Sequence, residues 1–273
     1  MSLSRRSVLA TGALAVGLSS AGCGRGVRQS FSAADTHPET YPTVQAVRYM
    51  AERLSERSDG RMRINTYPGS VLGQEKDTLE IAVFGGIDFN RVNLAPLNSI
   101  AEETIVPNLP FMFRSIAHMR AAMDGAPGQR ILEALIPHGL IGLCFYDSGA
   151  RSFYTTKREI HRPEDLKGLK IRVQSSDLYV SMVRALGGNA TPMDFGEVYQ
   201  GLLQGTVDGA ENNWPSYETT RHFEAARNYS LTRHVMAPEV LVMSRRSRLT
   251  LSNEEQDLIR TCARERVAVM RKL

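Results

Sequence analysis

The chain has 273 residues, 33 lysines and arginines against 29 aspartates and glutamates, a formal charge of +4 and 42% hydrophobic residues. That length supports one large domain or two lobes, and the hydrophobic share is ordinary for a soluble globule. The positive excess is small and scattered, densest at Arg245-Arg246-Ser247-Arg248, which reads as a solvated face and gives no case for a nucleic-acid partner.

At the N-terminus, Arg5 and Arg6 precede an apolar run from Val8 to Leu18. The run has the length of a signal-peptide core and falls well short of the ~20 apolar residues a spanning helix needs. Small residues Ser19 to Gly22 follow, so residues 1–23 are expected to be an export signal of the twin-arginine type. The competing reading, an ordinary buried helix, is weakened by Gly12, Gly17 and Gly22. Cys23 follows Ser20-Ala21-Gly22 as in a bacterial lipoprotein site, although Ser20 stands where such sites usually carry a large aliphatic residue. The expected location is periplasmic, with Cys23 a lipidation candidate. The other thiols, Cys144 and Cys262, make no CxxC or metal-like spacing and are read as buried small hydrophobes or at most one disulfide.

Residues 24–34 read as a short linker into a strand. Over residues 41–58, Val44, Val47, Met50, Ala51 and Leu54 recur at helical spacing with Glu52, Arg53, Glu56 and Arg57 opposite, the mark of an amphipathic helix. Residues 61–67 alternate with period two, as a half-buried strand does. Residues 74–84 are helical up to Gly85-Gly86, and 87–92 form a further strand. The first third therefore reads β-α-β-α-β, the pattern of a mostly parallel sheet covered by helices. Residues 107–113 are a proline-punctuated apolar loop, 116–123 and 128–135 short helices, and 140–146 an apolar strand. A hinge is placed at Asp147-Ser148-Gly149. Beyond it come strands at 151–155, 170–173, 190–192 and 207–210, a helical turn at 162–168, and helices at 177–186 and 195–204, so the βαβ logic recurs in a second lobe. Residues 253–273 read as a helix capped by Ser252, with Glu254 and Glu255 in its first turn and no stop signal before the sequence ends. The lobes are expected at 35–149 plus about 238–250, and at 150–237 plus about 251–273.

The sequence carries no GxSxG, HExxH, P-loop or GxGxxG, and the six histidines are dispersed. Glu211, followed by Asn212, Asn213 and Trp214 and near His222, is the best catalytic candidate, but nothing supplies the partner a general base needs. Arginine and amide residues at strand ends stand out instead, where open α/β sheets bind ligands. Arg172 sits inside the apolar strand Ile171-Arg172-Val173 and is too costly to bury without an anion. That anion is either an internal carboxylate or a ligand. Arg151 opens the strand after the hinge and is otherwise an exposed edge charge. Asn212 and Asn213 follow Asp208-Gly209-Ala210-Glu211 and are otherwise turn formers.

These residues resemble a known family. Pro163-Glu164-Asp165-Leu166-Lys167-Gly168-Leu169-Lys170-Ile171-Arg172-Val173 and Val207-Asp208-Gly209-Ala210-Glu211-Asn212 are similar to the solute-binding proteins of TRAP (tripartite ATP-independent periplasmic) transporters, the DctP family. Gly73-Gln74-Glu75, Gln200-Gly201-Leu202 and Val235-Met236-Ala237-Pro238 add to a likeness that runs over about residues 35–270. The resemblance implies an α/β, two-lobed periplasmic-binding-protein-like fold with a hinge and central cleft, closing around a small organic acid. It implies that Arg172 grips the ligand carboxylate bidentately, as a planar guanidinium does better than a lysine, with Arg151 and Asn212 completing the site. The stretch from Glu211 to Tyr217 further resembles hexuronate binders. His37, Glu75, Asn93 and Tyr217 are then candidate hydroxyl contacts, each alternatively a cap, a turn or a helix-face residue. Glu75 is the most telling, since a carboxylate in an anion site makes sense only if it accepts from hydroxyls. The family normally continues through a long final helix that braces both lobes, and this sequence stops within that region. The implied partners are the uronate and TRAP membrane permease subunits, with no cofactor, metal or catalysis. Rival readings are a ligand-sensing receptor for a membrane kinase and a secreted sugar-acid enzyme.

Overall fold

Alternation builds the first sheet. In Met62-Arg63-Ile64-Asn65 the two apolar side chains are buried and the two polar ones exposed, as a pleated strand with one covered face requires. A computed structural model describes residues 29–270, so the export signal and Cys23 lie outside the described residues. Strands β1 (Gln29–Ala34), β2 (Met62–Tyr67) and β3 (Phe89–Asn93) run parallel, connected by helices α1 (Pro42–Arg57) and α2 (Glu75–Phe84). Pro42 opens α1, where its missing N–H costs nothing. Gly85, at φ 84°, closes α2 in the left-handed conformation that glycine adopts without strain. Helices α3 (Ile116–Asp124) and α4 (Ala126–Ala134) lead to β4 (Leu140–Tyr146).

The chain then passes over residues 147–150 into a second sheet. This holds β5 (Arg151–Thr155), β6 (Lys170–Val173), α5 (Asp177–Ala185), β7 (Asn189–Pro192), α6 (Val198–Leu203), β8 (Gly209–Asn213), α7 (Trp214–Thr219), α8 (His222–Ala225) and β9 (Asn228–Val235). It returns over residues 236–238 to β10 (Glu239–Ser244), which inserts antiparallel between β3 and β4, and ends in α9 (Arg245–Leu249) and α10 (Asn253–Met270). The strand orders are β2-β1-β3-β10-β4 and β7-β6-β8-β5-β9. Each sheet has a core cluster on each face, the layered α/β arrangement in which helices hide both faces of a sheet. Within the connection at 147–150, Gly149 has φ +84° with open space around it.

Three expectations are corrected. Residues 29–34 are not linker but the strand β1, paired to β2 along its whole length. The C-terminal helix belongs with the first sheet rather than the second lobe. Its Ile259, Cys262, Ala263 and Val267 share a core with Met50 and Leu54 of α1 and Tyr146 of β4, and Arg57 pairs with Glu265 at 2.9 Å. Glu211, Asn212 and Asn213 stand inside β8 rather than beyond a turn, because β5 pairs with β8 residue for residue as far as Asn213. Cys144 and Cys262 are buried in that same core and are not joined in a disulfide. Among the described residues no helix is long and apolar enough to cross a membrane.

Candidate functional site

Three arginines are almost fully buried near the junction of the two sheets: Arg91 and Arg151 at 1% exposure and Arg172 at 2%. Their partners separate them. Arg91, on β3, donates from Nε to Asp35 Oδ2 at 2.7 Å and from Nη1 to Glu239 Oε2 at 3.2 Å, and its Nη2 reaches Asp35 and His37. Arg151, on β5, donates from Nε to Glu211 Oε2 at 2.6 Å, from Nη2 to Glu211 Oε1 at 2.8 Å and to the Glu211 carbonyl at 2.9 Å, and from Nη1 to Asn212 Oδ1 at 2.9 Å. Burial alone would push the Glu211 carboxyl up, but Arg151 and His234 together outweigh it and hold it down at about 2. Both arginines are thus neutralised from within the chain.

Arg172 is not. Its Nε donates to the Met193 carbonyl at 2.9 Å, while Nη1 is buried with no hydrogen-bond partner. Among the described residues it has no carboxylate ion pair, and burial pulls the guanidinium below its ordinary pKa. A buried arginine without a counter-charge is costly and is a signature of a site whose anion comes from outside. Gln174, two residues on, has its Oε1 buried without a partner as well.

Both side chains line a narrow crevice of about 20 Å³, with Glu75 and Lys76 from the first lobe and Asp194 and Phe195 from the second. Past Lys76, Pro96 and Ser175 lies a wider cleft of about 390 Å³, bounded by Asn98, Asp177 and Leu178. Burial, with Glu197 and Asp77 nearby, raises the Asp194 carboxyl. The lobes touch around this cleft. The Phe195 ring lies 4.4 Å from His37, and His37 Nε2 meets Ser216 Oγ at 3.3 Å. The Asn98 amide and Ser176 hydroxyl are bonded at 2.9 Å, and Tyr179 donates to Asn108 Oδ1 at 3.1 Å.

The residues expected from the sequence divide into groups. Arg172 and Glu75 share the crevice. Asn93 gives its backbone and side-chain N–H groups to Glu75 Oε1, at 2.9 and 2.8 Å, which orients that carboxylate 3.8 Å from Arg91. His37 is buried between Arg91 and Ser216 with both ring nitrogens engaged. Arg151 is neither an exposed edge charge nor an unpaired cation: its guanidinium is taken up by Glu211 and Asn212. Tyr217 stands apart from the crevice: its hydroxyl donates to the Ala226 carbonyl at 2.8 Å and its ring packs with Tyr154, Val198 and Leu202 in a core cluster. Gln174, Asp194, Phe195 and the Arg91–Asp35–Glu239 network were not singled out from sequence. Arg91 was findable by the logic used for Arg172, since Asn90-Arg91-Val92 is also an arginine in a buried strand. Gln174 was findable from the two-residue period that places it on the face of Arg172.

No catalytic arrangement emerges from this set. His222 lies against Tyr154, its Nδ1 at 2.8 Å from the hydroxyl, and burial, with Arg172 and His37 nearby, holds its imidazole down at about 3. Among the described residues, no group of three or more His, Cys, Asp or Glu side chains is placed to hold a metal ion.

The comparisons with known proteins agree with this architecture. Residues 33–273 match the DctP family model, the bacterial extracellular solute-binding proteins, family 7. A solute-binding protein of Chromohalobacter salexigens is 42% identical over 237 residues, 87% of this chain and 70% of the relative. A TRAP periplasmic solute-binding protein from a Bradyrhizobium species, solved in complex with D-galacturonate, is 53% identical with a TM-score of 0.87, over 89% of this chain and 81% of that one. Another, from Xanthobacter autotrophicus Py2 with bound β-D-galacturonate, is 52% identical with the same TM-score and coverage. Three other curated relatives are spanned for 60% to 67% of their length. The chain belongs to the family 7 bacterial extracellular solute-binding proteins.

Proposed function

We propose that this protein is the extracytoplasmic receptor of a TRAP transporter, capturing a hexuronate such as galacturonate or glucuronate and delivering it to membrane permease subunits without chemical turnover. One observation carries the reading: Arg172 is buried at the cleft with Nη1 unspent and, among the described residues, no ion pair to a carboxylate, while the two neighbouring arginines are fully paired. A ligand carboxylate supplies the missing counter-charge, and a charge-assisted bond in a desolvated site is among the stronger polar contacts available to a protein. The galacturonate complexes of relatives more than 50% identical support the sugar-acid class.

In this reading Arg172 is the clamp, and Glu75, oriented by Asn93, accepts from ligand hydroxyls. Arg151 acts through Asn212, fixing its Oδ1 and leaving the amide nitrogen to the site. His37 closes the first-lobe wall. The crevice is too narrow for a sugar acid in this conformation, so entry requires the lobes to part about the connections at 147–150 and 236–238. Export by the Arg5-Arg6 signal, with Cys23 a lipidation candidate, fits an extracytoplasmic receptor. The deciding experiment is a thermal-shift and calorimetric screen against uronates, aldonates, dicarboxylates and 2-oxo acids, repeated with Arg172→Ala. Uronates are expected to raise the melting temperature of the wild type and to fail with the variant. If no carboxylate shifts the wild type, or if Arg172→Ala binds as tightly, the reading is wrong.

A further inference from the structure

Beyond the arginine clamp, a second buried polar group faces the crevice with nothing to bond. Gln174 is 4% exposed, and its Oε1 has no hydrogen-bond partner. It directly follows the last residue of β6, two positions from Arg172, and both side chains line the same crevice. A buried acceptor left unbonded costs about as much as a lost hydrogen bond, so a well-folded protein keeps one where something will donate to it. The pair is complementary in character: Arg172 offers a donor and a charge, Gln174 an acceptor and none.

The rest of the lining sharpens what must donate. Among the described residues Glu75 and Asp194 are the carboxylates of the crevice, and Lys76 is its cation besides Arg172. A second ligand carboxylate placed past Arg172 would set its charge against both Glu75 and Asp194, with Lys76 alone to offset them, and could not donate to the unbonded Gln174 oxygen. A hydroxyl would satisfy any of these acceptors. We propose that Gln174 is a specificity-determining ligand contact, accepting a hydrogen bond from a ring hydroxyl of the acid whose carboxylate Arg172 holds, and so selecting hydroxy acids over dicarboxylates. This rests on the receptor reading above and names the ligand group that the second contact reads.

Gln174→Met keeps the length of the side chain and removes its polar atoms. Dissociation constants are measured by calorimetry for wild type and Gln174→Met with D-galacturonate, or with the tightest uronate of the screen, and with its 2-, 3- and 4-deoxy derivatives. The parent acid is expected to weaken about tenfold with Gln174→Met, the typical worth of one hydrogen bond. One deoxy derivative is expected to weaken by the same factor on wild type yet to lose nothing further with the variant. That non-additivity marks a direct contact, whereas a merely structural role would weaken every ligand alike. Additive losses on all three derivatives, or unchanged affinity for the parent acid, overturn the assignment of Gln174 and leave the clamp standing. If no carboxylic acid binds the wild type, the receptor reading falls and this inference falls with it.

Discussion

Phe195, at the start of the segment that leads into α6, lies against His37 of the first lobe with ring centroids 4.4 Å apart and planes inclined at 32°. The contact joins the two lobes at the cleft, since Phe195 also sits beneath Arg172, whose Cζ is 6.0 Å from the ring centre. Stacked rings contribute about 0.5–1.5 kcal/mol beyond the area they bury. The pair therefore biases the ligand-free protein toward lobes in contact. Phe195→Leu keeps apolar bulk but removes the ring. It is expected to raise the radius of gyration of the ligand-free protein in small-angle scattering, with the parted form gaining roughly two- to tenfold in population. Equal scattering curves for variant and wild type would show that the stack does not set the balance.

The two arginines of the second sheet respond oppositely to removal of their charge. Arg151→Met strands Glu211 as a buried carboxylate and removes the bond that fixes Asn212, and a broken buried pair costs about 3–5 kcal/mol. Arg172→Met removes a buried charge that has no carboxylate ion pair among the described residues. It is expected to be neutral or stabilising by about 1 kcal/mol, while abolishing acid binding. Urea midpoints for the two proteins provide the comparison, and a large loss of stability for Arg172→Met would mean that an internal partner neutralises it.

The strands and helices were largely legible because their burial follows simple periods. Strands 140–146 and 170–173 are where alternation and apolar runs place them. Partner choice was not legible. Arg91, Arg151 and Arg172 look alike in sequence, each an arginine in a buried strand. What separates them is whether Asp35, Glu239 or Glu211 arrives from elsewhere in the chain, at sequence separations of 56, 148 and 60 residues. The same limit misplaced the last helix. Ile259, Cys262 and Ala263 announce a buried stripe, but only the fold shows that α1 and β4 receive it. Tyr217 was illegible for a further reason: a tyrosine near a strand end serves equally as a sugar contact or as a core ring with a backbone partner, and only the fold shows its hydroxyl on the Ala226 carbonyl.

Two buried groups make the protein acid-sensitive in successive windows. His222 is held down at about 3 against an ordinary 6.5 by burial, with Arg172 and His37 nearby. The unfolded chain takes up that proton first, so this contribution is complete above about pH 6.5 and is lost as pH falls toward 3. Glu211, lowered from 4.5 to about 2 because Arg151 and His234 together outweigh its burial, contributes above about pH 4.5 and loses that contribution between 4.5 and 2. Stability is thus expected to fall continuously below pH 6.5. His222→Gln should flatten the curve between pH 6.5 and 4.5 and lessen its slope from 4.5 down to about 3, where Glu211 also contributes. Urea midpoints at pH 7.5, 6, 5 and 4 resolve the two windows. An undiminished slope in the upper window would show that His222 does not govern it.

Trp214 is the single tryptophan of the chain and stands where it can report on the lobes. It opens α7 directly after Asn213, is 52% exposed, and rests edge-on against Tyr229 at 5.1 Å. Asn213 Oδ1 caps α7 by accepting from the Ser216 N–H at 2.8 Å, and its Nδ2 donates to the Tyr41 hydroxyl of the first lobe at 3.1 Å. The N-terminus of α7 is therefore tied to the opposite lobe by Tyr41, and again by the contact between Ser216 and His37. Any parting of the lobes strains these ties and shifts α7 against Tyr229, which alters the packing of a half-exposed indole. Titration with a bound acid is expected to change Trp214 emission along a saturable curve whose midpoint matches the calorimetric dissociation constant. Tyr41→Phe removes the hydroxyl bonded to Asn213 and should diminish the amplitude without shifting that midpoint by more than about threefold, since Tyr41 does not line the crevice. An unchanged emission spectrum at saturating ligand would show that α7 does not move with the lobes, and an unchanged amplitude in Tyr41→Phe would place the coupling elsewhere.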